Sequence, residues 1–386
     1  MNDDKQLRVL VLTWEFPPNI AGGLGMACYG MVRALLEIGV GVTLVLPGER
    51  PGSFEMKHAQ DADLLYPTVL NGDTEKRYRD DPYHPDDLTP LRYRSLVEQV
   101  IPHLDFDVIH AHDWLTFEAG LYAKEVTGKP LLCHVHSTEY DRACCSGNER
   151  IHQYERVGLE MADRVIAVSR YTADGIRENY GIDPGRIQVI HNAYSLRKPK
   201  SVSGRLFREP VVLFMGRITC QKGPDLFLEI ARRVISRFPE LRFLIAGDGD
   251  MKNSLLHRAA YYGMQNRVLF TGFLNRDEVA GILAISDILV APSISDPFNI
   301  TVLEAMSSGL AVVVSRRSGV TEVVRRIIVV DHWDVDDISD QIVSLLKNPA
   351  QLKRLGREGM AEVKRIRWHD AARQLKEIYG ELVCST

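Results

Sequence analysis

The chain has 386 residues, 45% of them apolar and 25% charged, with a formal net charge of −4 at pH 7. That length exceeds one ordinary hydrophobic core and suits two domains. The slightly acidic balance removes nucleic acid and anionic membrane from the expected main partners. No apolar run reaches the roughly 18–20 residues that span a bilayer, and Met1–Lys5 lacks the basic and apolar regions of a signal peptide. The expected location is the cytoplasm, with no integral membrane association. The six cysteines (28, 133, 144, 145, 220 and 384) show neither C-x-x-C pairs nor metal-ligand spacing, so they read as reduced thiols, vicinal Cys144-Cys145 included.

Apolar β-rich runs alternate with helical patterns along the whole chain, as in parallel sheets covered by helices. Strands are predicted at Arg8–Thr13, Val40–Leu46, Asp107–Ala111, Pro130–Val135, Arg164–Val168 and Ile187–Ile190. Leu24, Cys28, Met31, Leu35 and Ile38 recur at the spacing of one helix face. Residues 66–90, rich in Pro and Asp, read as a loop or small excursion. Ser195–Gly204 is polar and punctuated by Pro and Gly, a linker. The alternation then resumes with strands at Val211–Met215, Arg242–Ala246, Arg267–Phe270, Ile288–Ala291 and Leu310–Val314. The expected fold class is α/β, with domains at 1–198 and 207–367. Ligands of such open sheets bind at the carboxyl ends of the strands.

Asp296-Pro297-Phe298-Asn299-Ile300-Thr301-Val302-Leu303-Glu304 is the most informative stretch. It places one carboxylate on a loop and another about two turns into the next helix. Between them lie amides that have no intrahelical partner. Carboxylates for hydroxyls and amides for oxygens suit a polyhydroxylated anion. Gly216–Gly223 contains Arg217 and Lys222 between glycines and before a helix, a pair of fixed cations suited to a diphosphate. Gly22, Gly23 and Gly25 follow the first strand without the order G-x-G-x-x-G. They fit either close backbone approach to a phosphate or sugar, or a plain turn. Gly247-Asp248-Gly249 fits a backbone contact to nucleotide or a turn equally well.

His110, His112, His134 and His136 alternate at the ends of two strands, so metal ligation has to be weighed. No further ligand of the H-E-x-x-H type accompanies them. The reading is hydrogen bonding to a sugar for His136 and structural roles for His110 and His134. Ser169 lacks a nucleophile elbow and is expected to cap the following helix. Asp334-Val335-Asp336-Asp337 is expected to start one.

Taken in order, Gly22–Gly25, His110–Trp114, Asp163–Ser169, Val189–Asn192, Gly216–Gly223, Ala246–Gly249, Ser286-Asp287 and Asp296–Glu304 resemble a retaining nucleotide-sugar glycosyltransferase of family 4. The resemblance implies the GT-B arrangement of two facing Rossmann-like domains with an interdomain cleft. It also implies a helix at about 368–386 that packs back on the first domain. Trp14–Pro18, His136–Arg142 and Ser318-Gly319-Val320 further resemble the glycogen or starch synthase-like group. This implies glucose transfer from UDP- or ADP-glucose to an α-glucan, a saccharide acceptor.

By the same resemblance, His136, Arg217, Lys222 and Asp296 would be catalytic. The nucleotide-sugar would meet Gly22, Gly23, Gly25, Arg217, Lys222, Asp296, Phe298, Asn299, Ile300, Thr301 and Glu304. Glu304 would hold the ribose, Asp296 the donor sugar, and the two cations the diphosphate. The implied reaction is front-face displacement with retention, without a protein nucleophile, a cofactor or an obligatory metal.

The chain departs from the family pattern at four places. Asp296 stands where glutamate is usual, Asn299 where glycine is usual, and Ala21 where many bacterial starch and glycogen synthases carry lysine. Ala193-Tyr194-Ser195 replaces Gly-hydrophobic-Asp. A surface-polysaccharide or glycolipid glycosyltransferase, and a sugar-nucleotide-binding protein with little activity, therefore stay open as alternatives.

Overall fold

The computed structural model describes residues 6–17, 22–47, 62–65, 89–144, 147–195 and 207–385. Ala21, Cys145, most of the expected linker and most of the expected excursion at 66–90 lie outside them.

The strands of the first half are β1 (Arg8–Leu12), β2 (Gly41–Val45), β3 (Ala62–Leu65), β4 (Val108–His112), β5 (Leu131–Val135), β6 (Arg164–Ala167) and β7 (Ile187–Val189). Those of the second half are β8 (Val211–Met215), β9 (Arg242–Ala246), β10 (Val268–Gly272), β11 (Ile288–Ala291), β12 (Ala311–Ser315) and β13 (Ile328–Val330). They form a seven-stranded sheet in the order β3-β2-β1-β4-β5-β6-β7 and a six-stranded sheet in the order β10-β9-β8-β11-β12-β13. Every strand pair is parallel.

The central strands are largely apolar and buried throughout, as at Val9–Leu12 and Ala311–Val314. Parallel strands need this because helices cover both faces. In each sheet the winding reverses beside the first strand, between β1 and β4 and between β8 and β11. The strand ends at that reversal are where open α/β sheets take ligands.

Two strands escaped the sequence reading, β3 and β13. They have four and three residues, too few for a periodicity to declare itself. Both lie at sheet edges.

The chain divides into two compact units. The first comprises residues 1–139, 146–193 and 367–386, and the second residues 140–145 and 194–366. The last helix, Trp368–Ser385, thus belongs to the first unit, where it packs on the helix Gly23–Glu37. Lys376 Nζ donates to the Ile38 carbonyl at 3.1 Å, and His369 Nε2 lies 2.9 Å from Glu37.

Gly30 is where the two helices approach, because a Cβ there would collide with the Trp368 indole ring. Gly30→Ala is therefore expected to destabilise the protein by about 1–3 kcal/mol, the usual cost of overpacking, despite the better helix propensity of alanine. Urea denaturation measures this; a stabilised variant would contradict the packing described.

Candidate functional site

In the second unit the site is built from the loops at the carboxyl ends of β8 and β11. The chain leaves β8 at Gly216, turns through the short 3-10 helix Cys220–Lys222, and enters the helix Pro224–Arg237 through Gly223. Gly223 has φ +66°, and a Cβ there would strike the Pro292 carbonyl. Glycine is thus required both for backbone angle and for close approach. The backbone N–H groups of Ile294 and Ser295 donate to the Gln221 carbonyl at 2.9 and 3.4 Å, tying this turn to the loop after β11. Gln221 Oε1 also accepts from Arg217 Nη2 at 3.1 Å.

Gly247 supports the same loop from β9. A Cβ there would meet the Gly216 carbonyl, while Ile218 N–H donates to the Asp248 carbonyl at 2.8 Å. The Gly247-Asp248-Gly249 turn thus has a packing reason of its own.

The structure brings Lys222, Asp296 and Asn299 together. Asp296 is 1% exposed. Its Oδ1 lies 2.9 Å from Lys222 Nζ, and its Oδ2 accepts from Asn299 Nδ2 at 2.7 Å and Ser293 Oγ at 3.1 Å. Its backbone is fixed as well: Asp296 N–H donates to Arg317 O at 3.0 Å and Gly319 N–H to Asp296 O at 2.9 Å. With these three partners the carboxylate keeps one acceptor position, on Oδ1 beside Lys222.

Asn299 is the N-cap of the helix Ile300–Ser307, but its side chain makes no capping bond. The amide that could have closed the helix end is used on Asp296, and the first-turn N–H groups of Ile300 and Thr301 keep their anion-binding character. Phe298 is buried beside them. Glu304, further along the helix, is half-buried. Desolvation pushes its carboxyl up to about 7, opposed by the positive charge of Arg276.

The other expected residues lie in the first unit. The N–H groups of Gly22 and Gly25 donate to Glu15 Oε2 at 3.0 and 3.4 Å, so these glycines bind a carboxylate of the chain itself. Gly23 begins the helix Gly23–Glu37. Ser169 caps the helix Arg170–Tyr180, its Oγ accepting from Thr172 N–H at 3.0 Å. Asp334 likewise caps Val335–Lys347.

His136 hydrogen-bonds through Nε2 to His112 Nδ1 at 2.9 Å. Next to this pair, His110 Nε2 lies 3.1 Å from His134 Nδ1, and His110 Nδ1 lies 2.6 Å from the hydroxyl of Tyr379 on the last helix. Burial depresses the pKa of all four imidazoles, that of His136 to about 3. They are neutral at pH 7.

Sequence reasoning missed Asp113. Its place before the helix Trp114–Thr127 suggests a cap, yet the side chain makes no capping bond. Instead Oδ1 accepts from the backbone N–H of His136 at 2.7 Å and of Ser137 at 3.4 Å. To do so Asp113 adopts φ 57° and ψ 168°, a conformation that costs a non-glycine residue about 1–3 kcal/mol. No sequence pattern signals such strain.

The six-stranded and seven-stranded doubly wound sheets are those of the GT-B fold. Residues 200–361 match the family of glycosyl transferases group 1, and residues 21–198 match glycosyltransferase family 4. Each half of the chain thus matches a glycosyltransferase family model.

An uncharacterized glycosyltransferase of Methanocaldococcus jannaschii is 29% identical over 342 residues, 83% of each chain. A D-inositol 3-phosphate glycosyltransferase of Catenulispora acidiphila is 29% identical over 72% of this chain and 71% of its own. Glycogen synthase of Mycobacterium tuberculosis is 25% identical over 97% of this chain and 94% of its own. Among solved structures, sucrose-phosphate synthase from Thermosynechococcus elongatus superposes with a TM-score of 0.81 at 20% identity, covering 99% of this chain and 100% of its own. Anabaena HepE in complex with UDP-glucose gives 0.76 at 18% identity, covering 97% and 100%.

Proposed function

We propose that this glycosyltransferase is a retaining hexosyltransferase that moves glucose from a nucleoside diphosphate sugar, UDP- or ADP-glucose, to an α-glucan. The observation that carries this reading is the joining of Arg217, Lys222 and the start of the helix Ile300–Ser307 through the loops after β8 and β11. Two cations and free helix amides stabilise a diphosphate, most of all as it departs with added charge. The diphosphate then takes the acceptor proton, so positioning and leaving-group stabilisation supply the rate, without a metal or a protein nucleophile. His136, held by His112 and Asp113, is the histidine that this reading assigns to the donor sugar. Support for the donor comes from HepE, solved with UDP-glucose, and for the acceptor from the nearly end-to-end match to a glycogen synthase. The cytoplasm is the corresponding place of action.

Glu304 gives this reading a pH signature. Ribose hydroxyls donate to the ionised carboxylate, whereas a carboxyl that titrates at about 7 in the free protein is half protonated there. Nucleotide binding is therefore expected to release about half a proton at pH 7 and more below it, and donor KM to rise as pH falls below 7. Glu304→Gln should raise KM and flatten that dependence; calorimetry in buffers of different ionisation enthalpy measures the proton.

The direct test is thermal shift with UDP-, ADP- and GDP-glucose, followed by product analysis with malto-oligosaccharides. Stabilisation by one glucose donor and elongated, α-linked product are expected. No stabilisation by any donor, or transfer to inositol 3-phosphate but not to glucan, would overturn the donor or the acceptor assignment respectively.

A further inference from the structure

The histidine array of the first unit holds more than a support for His136. β4 and β5 pair in register with His112 opposite His134. Alternation then puts His110, His112, His134 and His136 on one face of the sheet. Their rings pack two by two, with centroids 4.3 Å apart for His110 and His112, 4.5 Å for His134 and His136, and 5.0 Å for His112 and His134. Two ring nitrogens, Nε2 of His112 and Nε2 of His134, are buried without a hydrogen-bond partner among the described residues. An unpaired buried polar atom is a substantial penalty, and apolar side chains at the same positions would avoid it. One donor atom from each of His110, His112 and His134 lies within 4.8 Å of the others.

We propose that His110, His112 and His134 form a binding site for a borderline divalent cation of the zinc class. The donor set is nitrogen only, which suits zinc, cobalt, nickel or copper and not magnesium or calcium, which take oxygen. Tetrahedral coordination at about 2.0–2.1 Å needs donors roughly 3.4 Å apart, inside the observed span, so ring rotation completes the site.

Two outer partners are already in place. With Nε2 on the ion, His112 carries its proton on Nδ1, 2.9 Å from His136. His110 exchanges its bond to His134 for the ion and keeps Tyr379 on Nδ1 at 2.6 Å. Hydrogen bonds of this kind fix the tautomer and orientation of metal-bound histidines.

Cys28, His112 and His136 form a second triplet within 4.8 Å. There the thiol is engaged with Thr13 Oγ1 at 3.2 Å and burial raises its pKa, while the two imidazoles already bond each other. The all-nitrogen triplet is the better site. Where His136 serves transfer, as proposed above, an ion on His112 also sets the His136 tautomer; the binding itself does not depend on that role.

The test is titration of the chelator-treated full chain with Co2+. One ion per chain is expected, with visible ligand-field bands of a nitrogen and water site, no thiolate charge-transfer band, and stoichiometric displacement by Zn2+. His134→Leu should abolish the bands, while His257→Ala, on an exposed helix face, and Cys28→Ser should leave them. If His134→Leu does not fold, the wild-type spectrum decides. No stoichiometric Co2+ in the wild type, bands that survive in folded His134→Leu, or a thiolate band lost in Cys28→Ser would each overturn the assignment.

Discussion

Lowering the pH from 7 to 5.5 is expected to reduce the folding stability of the first unit in the metal-free protein, by about 1 kcal/mol through His136 alone and further, in the same direction, through His110, His112 and His134. In the unfolded chain each histidine titrates near 6.5. In the fold, burial holds His136 at about 3 and His110, His112 and His134 well below their ordinary value. Below pH 6.5 the unfolded state therefore binds up to four more protons than the native state. Stability is complete above pH 6.5 and is lost as pH falls toward the folded values.

Each group contributes about 1.4 kcal/mol per pH unit once its unfolded form is protonated. Glu304 works in the opposite sense in the second unit. Its folded pKa of about 7 lies above the unfolded value, so its protonation favours the fold between pH 7 and about 4.5. Urea titrations between pH 7.5 and 5 measure the slope. Trp14, Trp114 and Trp368 report on the first unit and Trp333 on the second. A first-unit slope equivalent to less than one proton would refute the neutral array, and His110→Leu, if folded, should reduce it by about one.

The sequence declared the architecture because parallel strands buried on both faces must be apolar runs. Val9–Leu12 and Ala311–Val314 can hardly be read otherwise. Ile328–Val330 could be, since three residues carry no period and only the pairing with β12 makes them a strand. For the site, Arg217 and Lys222 were legible because glycines and a strand end marked their loop.

What the cations and amides bind in the folded protein was not legible. Lys222 meets a buried carboxylate 74 positions later, and Gly22 and Gly25 meet Glu15. Asn299 could be noticed as an unusual residue, but its bond to Asp296 depends on the loop conformation. His112 was hidden for another reason. A histidine in an H-x-H pattern reads alike whether its nitrogens face a ligand, another ring or nothing, and only the register with β5 distinguishes these.

Arg217→Ala and Lys222→Ala are expected to fail in different ways. Both should lower kcat/KM by about 10²–10³, the usual loss when a donor to a developing negative charge is removed from a preorganised site. Lys222→Ala should also weaken the fold. Arg217 is half-buried and hydrogen-bonds the neutral amide of Gln221. Lys222 neutralises Asp296, which is 1% exposed, and an uncompensated buried charge costs about 3–5 kcal/mol.

The bonds from Ser293 and Asn299 remain on Oδ2, which places the expected loss near the lower end, about 3 kcal/mol. The double variant Lys222→Ala/Asp296→Asn removes the charge with the cation. It should recover most of that stability while turnover stays low, because the diphosphate still lacks its lysine. Denaturant midpoints and single-turnover transfer from the donor identified by thermal shift measure the two effects separately. Unchanged stability in Lys222→Ala would show that Asp296 does not depend on the pair. Near-normal turnover in Arg217→Ala would remove the diphosphate from this site.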